Sequence, residues 1–176
     1  IDVSKWNKEI DWAQLRKEGV EFAIIRAGYR GSSSGSLVVD PYFEQNIKGA
    51  LEAGISVGVY FFSQAVTQEE AVEEAQLVLD NIKDYEILYP IAYDMEFIEN
   101  DNSRIETLTR AEKTNIALAF LQRIEEAGYV GMLYGNKEWL LKRVELHRFE
   151  DYDIRLTQED DIPDYPYSYS MWQYPR

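Results

Sequence analysis

Apolar runs and amphipathic stretches alternate along the whole chain. Residues 20–27 (VEFAIIRA) and 55–62 (ISVGVYFF) are nearly continuous apolar, β-branched segments. Strands that are apolar on both faces suit a parallel sheet covered by helices. Residues 1–4, 89–96, 129–134, 152–157 and 169–174 have the same character, so seven strands are predicted. The helices between them announce their ends. Asp40-Pro41 offers an N-cap followed by an N1 proline, and Gly54 closes that helix. Thr67-Gln68-Glu69-Glu70 and Thr109-Arg110-Ala111-Glu112 both fit a capping box, and the second opens a long amphipathic helix that stops at Gly128.

Strand and helix in repeated alternation imply right-handed crossovers and a parallel sheet, either open or closed into a barrel. Two features favour the barrel. No glycine-rich phosphate loop follows the first strand, and polar residues gather at strand C-terminal ends, where barrel enzymes keep their sites. The segments after Tyr134 are too short for a full helix between every strand. The expected architecture is therefore α/β, an irregular TIM-like β/α barrel of mostly parallel strands with its last strand missing. Residues 32–36 (SSSGS) read as a flexible loop over the same end of the sheet. No internal repeat or linker divides the chain, so residues 1–176 are read as a single domain.

Within this pattern one run stands apart. Pro90-Ile91-Ala92-Tyr93-Asp94-Met95-Glu96-Phe97 places two carboxylates two residues apart in what is otherwise a buried strand. Alternation puts Asp94 and Glu96 on one face, with Tyr93, Met95 and Phe97 on the other. Desolvating a charge is costly, and two like charges held close push each other's proton affinities apart. One group is then protonated and one ionised near neutrality. This is the electrostatic arrangement for acid/base work on a glycosidic bond, although a solvent-facing pair at a strand end accounts for the same spacing.

Composition narrows the chemistry. The net charge of −14 leaves no basic stripe for nucleic acid and no attraction to anionic lipid. There is no cysteine, which excludes disulfides, thiolate nucleophiles and Cys-type zinc sites. The single histidine, His147, sits in a polar segment and reads as a surface residue; alone it cannot build a Ser-His-Asp triad or a multi-histidine metal site. No metal or cofactor is expected. No apolar run approaches the ~18 residues of a membrane span, so no membrane insertion is expected. Thirteen tyrosines and four tryptophans supply flat apolar faces with polar tips, suited to stacking on sugar rings and also to ordinary cores.

The order of motifs carries more. The opening DVSKWN, then FAIIRAGYR, DPYFEQNIKGALEAGISVGVYFFS, YDMEF, GMLYGNKEWL and a closing MWQY together resemble glycoside hydrolase family 25, across essentially the whole chain. These are the N-acetylmuramidases, or lysozymes, of bacteria and their phages. The resemblance implies an irregular β/α barrel that cuts the β-1,4 bond between N-acetylmuramic acid and N-acetylglucosamine in peptidoglycan. It implies Glu96 as general acid/base, and Asp94 as the group that orients the substrate acetamido or stabilises the intermediate it forms. Asp2 would line the same pocket from strand one. It further implies retention through acetamido participation, which suits a close Asp-x-Glu pair without an obvious third nucleophile. Tyr60, Phe62, Tyr134 and Trp172 are read as walls of a sugar cleft, and Arg26 as a charge partner for a site carboxylate; core packing and a structural ion pair are the competing readings.

The chain departs from the family pattern in two places. Where an aromatic sixth strand is expected it has Ile154-Arg155-Leu156-Thr157-Gln158-Glu159, followed by Asp160 and Asp161. It also ends at Tyr174-Pro175-Arg176, before the eighth strand and the cleft-facing aspartate that the family carries. A continuation past Arg176 that supplies them is expected; otherwise strands one and seven must close directly or another chain must cover the gap. Two other functions stay open: a non-catalytic glycan-binding relative, and another acetamido-sugar hydrolase of chitinase-like type. The partner implied is the peptidoglycan glycan strand, met outside the cell or at the cell wall after secretion or phage release. A −14 domain is repelled by anionic wall polymers at low salt, which either attached wall-binding modules or a setting where electrostatic capture is unnecessary would resolve.

Overall fold

The computed structural model describes residues 1–99, 102–160 and 162–174. Asp161, Pro175 and Arg176, which the sequence reading touches, lie outside these. Eight strands form one curled sheet: β1 (Asp2–Val3), β2 (Phe22–Arg30), β3 (Leu37–Val39), β4 (Ser56–Ser63), β5 (Ile91–Met95), β6 (Gly131–Asn136), β7 (Asp153–Thr157) and β8 (Met171–Gln173). The order is β1-β2-β4-β5-β6-β7-β8 with every neighbour parallel, and β3 lies antiparallel on β2. The result is a half-barrel whose two edges are β1 and β8, as expected of a barrel lacking its last strand.

The β2–β3 hairpin was not expected. Leu37-Val38-Val39 is too short to stand out as a strand beside the serine-rich loop, and it is placed by pairing with the end of β2. Gly28 permits this: a Cβ there would lie 2.4 Å from the Val38 carbonyl oxygen. The serine loop itself is tied down, because Arg30 Nη1 donates to Gly35 O (2.8 Å) and Arg104 N donates to Ser32 O (3.0 Å).

Helices α1 (Trp12–Lys17), α2 (Phe43–Glu52), α3 (Gln68–Ile82) and α4 (Arg110–Glu126) follow the first strands of the barrel. The capping box at Thr109 is complete: Thr109 Oγ1 accepts from Glu112 N (3.1 Å), and Thr109 N donates to Glu112 Oε2 (2.7 Å). At Thr67 only half of it forms; Glu70 turns instead to Val66 N (2.8 Å) and to Arg104. Helix α2 starts at Phe43, later than Asp40-Pro41 suggests, with Tyr42 at its N-cap. Gly54 and Gly128 follow α2 and α4 with φ of +76° and +92°, the left-handed region that glycine enters without strain. After β6 the helical layer thins to a π-turn (Trp139–Arg143) and a 3₁₀ turn (Leu146–Phe149), and the described residues between β7 and β8 form no helix.

The main core lies between the sheet's outer face and the helices. Ala23, Ile25 and Ala27 of β2, Val57, Val59 and Phe61 of β4, and Ile91, Tyr93 and Met95 of β5 all face it. Helix α4 answers with Ile116, Ala117, Phe120, Leu121 and Ile124, an i, i+3, i+4 stripe. Phe120 contacts both Phe61 and Tyr93, with ring centroids 6.5 and 5.1 Å apart. Burying each such side chain contributes about 1.5–3 kcal/mol. The alternate residues of the same strands must then point into the barrel. That is how strand parity creates a polar interior.

Candidate active site

Asp94 projects inward from β5, half a pleat away from the core residues Tyr93 and Met95. Parallel register sets its neighbours, since Asp94 pairs with Tyr134 on β6 and Tyr134 pairs with Arg155 on β7. Glu96 follows immediately after the end of β5 and is exposed. Asp2, Tyr60, Ala92, Asp94, Glu96, Tyr134, Arg155 and Gln173 enclose a cavity of about 220 Å³ at this end of the barrel. Asp2, from the start of the chain, therefore meets the neighbouring Asp94 and Glu96 in one small space. Their convergence follows from the inward parity of β1 and β5.

Asp94 is 7% exposed, and its Oδ1 is buried without a hydrogen-bond partner. Burial first, then the charge of Glu96 and a hydrogen bond with it, push the Asp94 carboxyl well above the usual carboxylate range; Arg155 opposes the shift. Asp94 is therefore the carboxyl that holds a proton. Burial also raises the Tyr60 and Tyr134 hydroxyls, and the Asp94 charge adds to both shifts. Both tyrosines thus remain neutral O–H groups, able to donate to or accept from sugar hydroxyls.

Arg155 is the feature that the sequence flagged without explaining. Its guanidinium pairs with Asp2, donates to Gln173 Oε1 (3.3 Å) and lies 5.7 Å from the Tyr134 ring centre. The arginine that replaces an expected aromatic thus enters the acidic cavity and neutralises part of it. Gln173 is a cavity residue that sequence reasoning missed. Its only signal was parity: Thr157 faces inward in register with it, while Leu156 and its partner Trp172 face outward.

The remaining expected site residues divide. Tyr60 and Tyr134 line the cavity. Phe62 shares the inward parity of Tyr60 but is not among the cavity's lining residues. Trp172 lines a groove of about 640 Å³ between β1 and β8, lies tilted against Tyr174 with ring centroids 5.3 Å apart and donates from Nε1 to Gln158 O (3.2 Å). Arg26 faces inward beside Tyr60, yet its Nε donates to Asp40 Oδ2 at 2.8 Å, both groups being buried. Asp40 also accepts from Lys5 N (3.0 Å) and Tyr42 N (2.9 Å). Arg26 therefore makes the structural ion pair rather than serving a site carboxylate. His147 is exposed on a groove lined by Tyr165, Tyr167 and Tyr169, which shares no residue with the carboxylate cavity. Among the described residues no group of three or more His, Cys, Asp or Glu side chains is arranged to hold a metal ion.

Paired carboxylates flanked by tyrosines at one end of a parallel half-barrel define the layout of a β/α-barrel glycosidase. The family model described as "Glycosyl hydrolases family 25" matches residues 1–176, and the chain belongs to that family. It is similar to the uncharacterized protein YegX of Escherichia coli K12, 35% identical over 102 residues; the match spans 54% of this chain and about a third (35%) of YegX. Among solved structures, a family 25 glycosyl hydrolase from Bacillus anthracis superposes with a TM-score of 0.82 at 25% identity, covering 99% of this chain and 77% of that one. The modular autolysin LytC from Streptococcus pneumoniae gives 0.82 at 26% identity, covering 99% of this chain and 42% of LytC. LytC has also been solved in complex with a synthetic peptidoglycan ligand.

Proposed function

We propose that this domain is a lysozyme that hydrolyses the β-1,4 bond between N-acetylmuramic acid and N-acetylglucosamine in peptidoglycan. The observation that carries the reading is the Asp94–Glu96 pair in a tyrosine-lined cavity, with Asp94 pushed to high proton affinity. Family membership and the likeness to LytC, solved with a peptidoglycan ligand, support the same substrate.

The chemistry follows from the two environments. A sugar seated over Glu96 excludes water from an exposed carboxyl and favours its protonated form. The substrate's acetamido N–H donates to Asp94 and favours its anion. Binding thus moves the proton from Asp94 to Glu96. The acetamido carbonyl oxygen then attacks the anomeric carbon, the bond to the leaving O4 breaks, and Glu96 delivers its proton to that oxygen. Asp94 stabilises the cationic oxazolinium ring. Glu96, now a base, takes a proton from water as it opens the ring at the anomeric carbon, so configuration is retained. Tyr60 and Tyr134 hold the sugar from either side of Asp94.

The site of action in this reading is the cell wall, reached by secretion or phage release. Wall-binding modules elsewhere in the polypeptide would offset the −14 charge of this domain, an arrangement supported by the modular character of LytC. The test is a turbidity assay on purified bacterial walls with reducing-end analysis of the fragments. New reducing-end N-acetylmuramic acid supports the proposal. Binding without cleavage would leave a glycan-binding domain, and reducing-end N-acetylglucosamine would indicate a hydrolase of different bond specificity.

A further inference from the structure

Glu96 stands one residue past the last ladder pair of its strand, Ser63 with Met95. Its position is therefore not fixed by the sheet. The residue directly after Ser63 takes over. Gln64 is fully buried, and its Nε2 donates to the backbone carbonyl of Glu96 at 3.0 Å. Its Oε1 accepts from Ser103 Oγ, another buried group, on the segment that leads from Glu96 to α4. The Gln64 carbonyl receives Arg104 Nη1 (3.3 Å), and the Arg104 guanidinium is held in a two-point pair by Glu70 of α3 (2.9 and 3.1 Å). The amide orientation is dictated by its partners: a carbonyl can only accept, so the NH₂ must face Glu96.

We infer that Gln64 is the positioning residue for Glu96, its side-chain amide extending the β4–β5 pairing by one step beyond the sheet so that the acid is held over the cavity. This rests on the reading of Glu96 as general acid. Gln64 does not line the cavity and touches no reacting atom; it acts through the Glu96 main chain. Buried, its two ends both satisfied, it is a rigid tether in place of a loop's freedom. Orientation of an acid is worth much in rate and little in ground-state binding.

The test uses the full chain and a soluble peptidoglycan oligosaccharide. Gln64→Leu keeps the volume and removes both hydrogen bonds. It is expected to lower kcat by about 10–100-fold with KM changed less than about twofold. Gln64→Glu adds a readout that a purely structural role would not move. Ionised, its carboxylate opposes the Glu96 carbonyl; protonated, it donates to that carbonyl again. The ratio of variant to wild-type kcat should therefore fall as pH rises from 5 to 9. Thermal midpoints at each pH separate this from unfolding, and Ser103→Ala, expected to lose severalfold in kcat, serves if the leucine variant does not fold. A folded Gln64→Leu with kcat within twofold of wild type overturns the inference. So do a folded Gln64→Glu whose pH profile superimposes on the parent's together with a folded Ser103→Ala whose kcat is unchanged. Glu96→Gln is measured alongside: if it stays active, the reading of the acid has failed, whereas an inactive Glu96→Gln with an indifferent Gln64 defeats only the tether.

Discussion

Arg155 on the seventh strand reaches across the open seam of the half-barrel to Asp2 on the first. β1 and β8 are the sheet's edges, and the groove between them is shared by Asp2, Arg155 and Gln173 with the carboxylate cavity. The ion pair thus joins the two sides of the seam where no backbone pairing does. It also tunes the site, because the Arg155 charge opposes the high proton affinity of Asp94.

Replacing Arg155 with Gln removes that opposition. Asp94 then holds its proton to still higher pH. The alkaline limb of the pH–rate profile should shift to higher pH, and a profile unchanged in position would refute the coupling. Asp2 keeps a side chain 27% exposed, so its loss of a partner should cost about 1–2 kcal/mol rather than the 3–5 of a fully buried pair. Denaturant unfolding measures that cost.

Glu96→Gln preserves shape and removes the proton. Turnover should fall by about 10²–10⁴-fold or more, with stability nearly unchanged because the side chain is exposed. Wall lysis near the parental rate would exclude Glu96 as the acid.

The sequence made much of this legible, for identifiable reasons. Strands apolar on both faces announced the parallel sheet, and the Thr109–Glu112 box marked α4 to the residue. Asp94 was visible because charge on a buried strand is costly. Gln173 and the outward turn of Trp172 were not legible, since a three-residue strand has no periodicity to read and its parity is set by register with β7. Nor was the fate of Arg26. An arginine on an apolar strand demands a carboxylate, but Asp40, fourteen residues on, is as good a partner as Asp94 until the chain is folded.

Buried away from the site, Glu74 of α3 accepts from Arg30 Nε at 2.8 Å. Desolvation pushes its carboxyl up to about 7 despite the arginine. The folded state therefore binds this proton more tightly than the unfolded chain, and stability falls as pH rises from the ordinary carboxylate value of 4.5 towards 7. Glu74→Gln keeps an acceptor for Arg30 and carries no titrating proton. Its stability relative to wild type should improve across that interval, as followed by the thermal midpoint at pH 5 and pH 8. A difference that does not change between the two would show that Glu74 titrates normally.

Asp94→Asn brings the same linkage into the site, where it separates stability from catalysis. The raised Asp94 carboxyl makes the wild-type fold bind a proton that the unfolded chain has released. Its contribution to stability is complete below the ordinary aspartate range and is lost as pH rises through the folded-state value. Asparagine is neutral at every pH, so the variant should be more stable than the parent at pH 8, with the advantage shrinking towards pH 4. Catalysis should move oppositely. An asparagine can still accept the acetamido N–H through its oxygen, so glycan binding should change little. It cannot supply the anion that stabilises the developing oxazolinium, so kcat should fall by about 10²-fold or more. Calorimetric binding in a Glu96→Gln background and turnover in the Asp94→Asn single variant measure the two effects separately. Equal losses in affinity and rate would make Asp94 a simple binding carboxylate, and a variant less stable than wild type at pH 8 would show that Asp94 is ionised in the folded cleft.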